Sequence, residues 1–469
     1  MILFVVGGSV GVLLLVAVGL LIFVDGNSYK SRLETVASAA LGMEVKVNGR
    51  VGIGFLPALH VTLNDLDLRN RGTEVASAKA VRLTVDLLPL LHREVRIEKV
   101  RVDSPVISLA RDSDGGFNFR TPGPAGGTSP AAALAKISLA NGTLRYADKK
   151  SGTGFEAEHC TLDARRLRLS EGKRAERLKH LSFVAQLACG AIRVEDLEIS
   201  DLDLSVSGND GVFDLKPVTM RLFGAQGSGN IRADFTGTVP LYHLQYSLPQ
   251  FRIEEFLKTL SPQKVAHGTM DFTANLTLHG KTVDAMVRSA DGEVLLRGKH
   301  LVLDGRDLDR ELSRYESSQS FNLVDAGAFF FAGPVGLAVT KGYNFASIFE
   351  GSGGHSAIRV LVSRWQVKRG VAQAQDVAMA TNENRIALTG NLDFVHERFD
   401  DVTMALIDAK GCAKVRQRIT GPFEKPVVEE PSVLKALTGP VVKLFKKGKA
   451  LFPGGQCEAF YTGSVAAPK

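Results

Sequence analysis

The residues able to do chemistry in this chain are ten histidines, four cysteines and fifty carboxylates, and their spacing decides what they can do. The histidines are scattered. No HExxH, phosphate loop or kinase set accompanies them, so no metal-bound water or phosphate cradle is provided. "DSDGGFNF", beginning at Asp112, and "SDLDLSVSGND", beginning at Ser200, carry aspartates at spacings close to those of a calcium loop. Neither has the full ligand series, and Asp-Gly and Asn-Asp-Gly turn chemistry accounts for both. His159 stands beside Cys160 with no third ligand in sight. Cys160, Cys189, Cys412 and Cys457 form no CxxC and have no histidine at a zinc-like distance. Two disulfides are arithmetically possible, one of them Cys412–Cys457 around a C-terminal segment, and an oxidising compartment such as a periplasm permits both. Buried thiols are the other reading, and for Cys160 and Cys189 the two stand level. The expectation is a protein that is not an enzyme and has no cofactor and no metal.

With 469 residues the chain suffices for two or three ordinary domains or one extended repetitive body. Hydrophobic residues at 45% and charged residues at 23% exclude a disordered chain and a polytopic membrane protein. Aromatics are only 7%, with a single Trp at position 365, so stacking on bases is poorly served and nucleic acid is not an expected partner. The net charge of +7 fits better with a surface that meets anionic lipid. From Ile2 to Val24 there is no charged residue. That run makes roughly 35 Å of helix, enough to span a bilayer. "ASA" at Ala37–Ala39 resembles a signal-peptide cleavage site, but the apolar run is too long for an h-region and lacks a basic n-region. An uncleaved anchor is expected over residues 1–26. Lys30 and Arg32 follow the span and no basic residue precedes it, which by the charge rule alone opposes an N-terminus-inside orientation.

Beyond the anchor, the elements are mostly strands. "SYKSRLETVASAALG" reads as a short amphipathic helix stopped by Gly42, and "QFRIEEFLKTL" and "RDLDRELSRYES" read as two more. Val45 and Val47 share one face before Asn48-Gly49, a hairpin signature; Val81, Leu83 and Val85 alternate in the same way. Four stretches keep strand alternation but slip once by a residue. They are Val61, Leu63, Leu66, Leu68; Val95, Ile97, Val100, Val102; Leu197, Ile199, Leu202, Leu204; and Ala372, Ala374, Val377, Met379. With a side-chain period of two, a three-residue step keeps both halves on one face only if an extra residue is accommodated, as in a β-bulge, or if a tight turn intervenes. Repeated bulges curl a sheet. The predicted fold is mainly β: an elongated, curled antiparallel sheet with an apolar groove, an N-terminal transmembrane helix and a few short helices. The expected divisions are a leading helix and β module over 27–120, a Pro/Gly-rich linker over 121–130, an extended β body over 131–430 and a tail over 431–469. The expected groove residues are Val45, Val47, Val61, Leu63, Leu83, Val85, Val95 and Ile97.

The tail holds one more signal. Leu434, Leu437, Val441, Leu444 and Phe445 fall near helical spacing, with Lys443, Lys446, Lys447 and Lys449 clustered after them. A short basic amphipathic helix of this kind suits an anionic membrane surface, or it caps the sheet with its lysines solvated.

The opening "VKVNGRVGIGFLPALHVTLNDLDLRN" and its continuation "VDLLPLLHREVRIEKVRVDSPVISLARDSDGGFNF" resemble the AsmA family of bacterial envelope proteins. Pro105 before a strand, Gly116 and Asn118 at a G-x-N turn, and Gly421 with Pro426 in "ITGPFEKPVVEEPSV" carry the same register. The resemblance, through relatives of the chorein-type bridge-like lipid-transfer proteins, implies an inner-membrane anchor and a β-rich periplasmic body. Phospholipid acyl chains would be held or conducted in its groove toward the inner leaflet of the outer membrane, with an envelope protein or a second copy as partner. A structural or assembly factor for outer-membrane proteins, with a closed β core, is the alternative.

Overall fold

The computed structural model describes residues 30–86, 97–118, 136–168, 179, 181–195, 197–259, 266–305, 307–318, 330, 353–430, 432–433 and 457–468. The expected span at Ile2–Val24, Val95, and the lysines at 443, 446, 447 and 449 lie outside them. Among the described residues no helix is long and apolar enough to cross a membrane. The chain divides into two compact units, Met1–Lys216 and Pro217–Lys469.

Unit 1 opens with α1 (Lys30–Leu41), ended by Gly42 in the left-handed region, where a glycine closes a helix at no steric cost. Strands β1 (Glu44–Val47), β2 (Val51–Gly54), β3 (His60–Asn70), β4 (Thr73–Val85), β5 (Ile97–Arg111), β6 (Lys136–Asp148), β7 (Thr153–Arg168), β8 (Ser182–Val194) and β9 (Leu197–Asn209) follow. Asn48-Gly49 does not make a hairpin. Both β1 and β2 pair with β3, end to end along one edge, because Asp65 of β3 takes a positive φ and the facing strand steps around it at Gly49. From β3 to β9 each strand pairs with the next, and all pairs are antiparallel except β5–β6, which is parallel. A parallel pair needs a long crossover, and residues 112–135, which contain the Pro/Gly-rich linker, connect its two strands.

All four predicted slips coincide with backbone irregularities. Glu98 and Gln375 are the extra residues where the register shifts between Thr84 and Val85 and between Arg364 and Trp365. Asp65 and Asp201 instead adopt φ of 51°. They belong to a row: Ser104, Asn141 and His159 also have φ of 49–53°. The pairings on either side set these residues close to one another from strand to strand, with Lys79 opposite Asp65 and Gly190 opposite Asp201. Asn, Asp and His tolerate this region best among residues with a Cβ, which fits four of the five. The row is a crease running across the strands. His159 Nδ1 and Asn141 Oδ1 share a hydrogen bond along it at 2.9 Å, and the Cys160–Cys189 disulfide bridges β7 and β8 beside it.

Strand β10 (Val212–Leu222) straddles the boundary between the units. In unit 2, β11 (Ala225–Asp234), β12 (Leu241–Arg252), β14 (Thr269–His279), β15 (Asp291–Asp304), β16 (His355–Lys368), β17 (Val371–Ala380), β18 (Arg385–Asp393), β19 (Arg398–Ile407) and β20 (Ala413–Pro422) pair in that order, all antiparallel. Short β13 (Ala266–His267) adds to β15, and β21 (Val427–Val428) and β22 (Ser432–Val433) add to β20. The helix α2 (Ile253–Leu257) falls within one predicted helical stretch, and α4 (Leu308–Ser318) overlaps another and ends one residue past it. A third, α3 (Val283–Arg288), is capped by Thr282, whose Oγ1 accepts from the Ala285 amide, a cap too short to stand out in sequence.

Candidate functional site

Strand alternation in unit 1 places aliphatic side chains opposite one another across seven strands. One cross-strand ladder runs Val61, Leu83, Val100, Ile137, Ala164, Ala185, Val206 from β3 to β9. The next runs Leu63, Val81, Val102, Leu139, Leu162, Leu187, Leu204. Beyond the crease a third runs Leu68, Ala76, Ile107, Leu144, Ala157, Ile192, Ile199. Leu63 and Leu66, on either side of the crease, share one buried cluster, so the irregularity keeps the apolar side chains on a single face. Aliphatic neighbours on one face stabilise the sheet. Only Leu63, Ala157 and Ala185 in the three ladders are buried; the others are half-buried. α1, the only described α-helix of unit 1, packs on β1.

The opposite face is polar and ion-paired. Arg101 pairs with Asp103 at 2.9 Å, Arg145 with Glu156 at 2.6 Å and Arg193 with Glu158 at 2.7 Å. Asp163 lies between Arg165 at 2.6 Å and Lys136 at 3.1 Å. The Arg165 hydrogen bond, assisted by Lys136, outweighs desolvation and holds the Asp163 carboxyl below the usual carboxylate range. The result is a sheet greasy on one side and solvated on the other.

The expected groove residues divide by position. Val61, Leu63 and Leu83 stand in the ladders, and Val85 faces Ile97 at the strand ends, both half-buried. Val45 and Val47 are different: with Val51, Leu63 and Leu66 they form a packed cluster that Ala37 of α1, Val61, Leu68 and Val81 complete. The face is therefore filled by the protein's own side chains at the β1 edge and half-open from β4 onward.

In unit 2 one face of the sheet is largely covered. Phe251, Ile253, Phe256, Leu301, Leu308, Leu312 and Ile358 are almost fully buried, several of them supplied by α2 and α4. A cavity of about 340 Å³ remains, lined by α3 and by Phe272, Leu276, Val294, Trp365, Leu392 and Phe394 among others. Its polar groups are already used: Trp365 Nε1 donates to Ser363 Oγ at 2.7 Å, and Ser363 Oγ donates to the Phe330 carbonyl at 2.8 Å. Sequence reasoning missed this cavity, since Trp365 was one aromatic in an alternating strand.

The other face of β16–β20 carries a second unforeseen feature. There Val362, Ala378, Ala380, Ala387, Ala405 and Ile407 are covered by Tyr461 and Val465 of the C-terminal strap, residues 457–468, which the Cys412–Cys457 disulfide ties down. Tyr461 donates its hydroxyl to Asp376 at 2.5 Å, and buried Arg385 donates to the carbonyls of Val465 and Asp408. Burial and the Asp376 carboxylate raise the Tyr461 phenol above its ordinary value. The run of alanines lets the strap lie close to the sheet.

Residues 112–118, "DSDGGFN", form a turn braced by Asn118, whose side chain bonds to the backbone of Ser108 and Ala110. Among the described residues no group of three or more His, Cys, Asp or Glu side chains is arranged to hold a metal ion. Chemically, the arrangement offers apolar surface. No curated protein matches the chain. The model of the AsmA family matches residues 3–169 and again residues 168–327, more than two-thirds of the chain, and the chain belongs to that family.

Proposed function

We propose that this protein is anchored in the bacterial inner membrane by a single N-terminal span, with its bulk in the periplasm, and that it holds or conducts phospholipids on the apolar face of unit 1 for outer-membrane lipid homeostasis. The observation that carries the reading is the set of three aliphatic ladders across β3–β9, half-buried on one face of an otherwise ion-paired sheet. An apolar surface of this extent marks a site for another apolar body. A phospholipid with about 30 methylenes loses roughly 25 kcal/mol on exposure to water, at about 0.8 kcal/mol each. A trough that shields the tails and leaves the headgroup solvated removes most of that barrier and needs no nucleophile, metal or general base. Family membership supports an envelope role.

The covered face of unit 2 favours a structural or assembly role for that unit, because a core closed by α2 and α4 leaves room for only part of a lipid. One experiment separates the two. A photoreactive residue at Leu139 or Leu187, in cells fed labelled phosphate, is expected to yield phospholipid adducts, whereas the outward Gln186 is not. Adducts at none of these positions, or equally at all three, would remove the lipid reading.

A further inference from the structure

Among the described residues of unit 1, the β2–β3 connection is the most exposed apolar point. Leu56 is 87% exposed and Phe55 40%, with Ile53 of β2 at 38% just before them. The loop is held from behind: the Val85 amide donates to the Leu59 carbonyl at 2.9 Å, and His60 Nδ1 lies 2.9 Å from the Ala58 carbonyl. Its backbone is thus tied to β4 while Phe55 and Leu56 face solvent.

Its place in the unit gives these residues a partner. α1 runs antiparallel to β1, since the Val45 amide donates to Ser38 Oγ, the Val47 amide to Glu34 Oε1, and Lys30 Nζ to the Asn48 and Gly49 carbonyls. The N-terminal end of α1 therefore points along β2 toward the β2–β3 loop. Lys30 lies six positions after Val24, the last of the uncharged apolar run. Those six cover between about 9 Å as helix and about 20 Å when extended, and Gly49 to Gly54 covers about 17 Å as strand. The chain is therefore long enough for the end of the apolar run to reach the level of the loop tip. The ladder beginning at Val61 and the Val85–Ile97 pair close the apolar face at this end.

We propose that the β2–β3 loop is a membrane-dipping finger: Phe55 and Leu56 insert into the headgroup region of the bilayer that anchors the chain and hold the mouth of the apolar face against it. The inference rests on the anchored, lipid-carrying reading above. Single aliphatic side chains on a surface are ordinary, but a braced apolar tip beside an anchor and at the end of an apolar face is placed to enter lipid.

The test uses the full chain reconstituted in vesicles of phosphatidylethanolamine and phosphatidylglycerol. All four native cysteines are in disulfides, so Leu56→Cys takes an environment-sensitive fluorophore selectively. Phe117→Cys, 48% exposed at the opposite end of the strands, is the control. The β3 strand alone separates the ends by roughly 35 Å. A shallow nitroxide lipid is expected to quench the label at 56 at least about twofold and to leave the label at 117 unchanged. Equal, absent quenching at both positions overturns the finger. So does a label at 56 that turns apolar without quenching, or a disulfide dimer through Leu56→Cys, since either shows a protein contact. Phe55→Asp with Leu56→Asp, both at exposed positions, is expected to lower the phospholipid adduct at Leu139 about tenfold with an unchanged melting curve, and an unchanged adduct overturns the role at the mouth. Quenching at 56 with no adduct at Leu139 in the unsubstituted chain would instead mean that the lipid reading fails while the finger stands.

Discussion

At the scale of single residues, burial decides what a substitution does. Leu83 and Val85 are half-buried on the apolar face, whereas Ala405 is fully enclosed between β19 and the strap. Leu83→Asp with Val85→Asp should fold and lose the Leu139 adduct, because the new carboxylates reach water. Ala405→Asp should lower the stability of unit 2 by several kcal/mol, because it encloses an unpaired charge. Melting followed by circular dichroism reads both; unfolding of the Leu83/Val85 variant would show that this face is a packed core. Asp163 sets a pH dependence. Its folded pKa is depressed, chiefly by the Arg165 hydrogen bond, so its contribution is present above the unfolded value of about 3.9 and is lost as pH falls through the folded value. The melting temperature of the unsubstituted chain should therefore drop more between pH 5 and 3 than that of Asp163→Asn, a difference that two parallel curves would exclude.

Among the elements, the crease and the strap make separate claims. The apolar slip at Leu63–Leu66 was legible because periodicity is local, and so was the need for an inserted or turned residue. That Asp65, Ser104, Asn141, His159 and Asp201 line up was not, since their alignment depends on the register of six strand pairs, one of them parallel. Asp65→Val should cost about 1–2 kcal/mol by forcing a β-branched side chain into the left-handed region, while Asp65→Gly should cost little. Equal losses in denaturant titration would assign the effect to the side chain's contacts instead. The strap is held by a disulfide closing a separation of 45 residues. On loop-closure entropy, Cys457→Ser should lower stability by as much as about 4 kcal/mol. The raised phenol of Tyr461 adds a second handle. The strap's hold is intact below pH of about 10, where an unfolded tyrosine begins to ionise, and weakens above it. Tyr461→Phe should lessen that alkaline decline of the strap's hold, as measured by protease cleavage after residue 457.

For the whole molecule, the prediction concerns compartment. The anchored reading expects the protein to stay with membranes through high salt and alkaline carbonate, and to be digested by protease added to spheroplasts. Protection from that protease would place the bulk on the other side of the membrane and remove access to the outer membrane.

The amino-acid sequence by itself determined the strand-rich character, the slips in step, most of the helices and the family register, because each is written in the order of neighbouring residues. It also placed Val61, Leu63 and Leu83 on one face, since alternation assigns a side without reference to any partner strand. Tertiary structure alone decided that Val45 and Val47 sit in a closed cluster under α1 and that one face of unit 2 is largely covered. It also turned Asn48-Gly49 into a step along a single edge and drew the C-terminus back onto β16–β20. An apolar side chain has the same period whether water, lipid or protein lies opposite it. What lies opposite is set by segments distant in the chain, and periodicity carries no information about them.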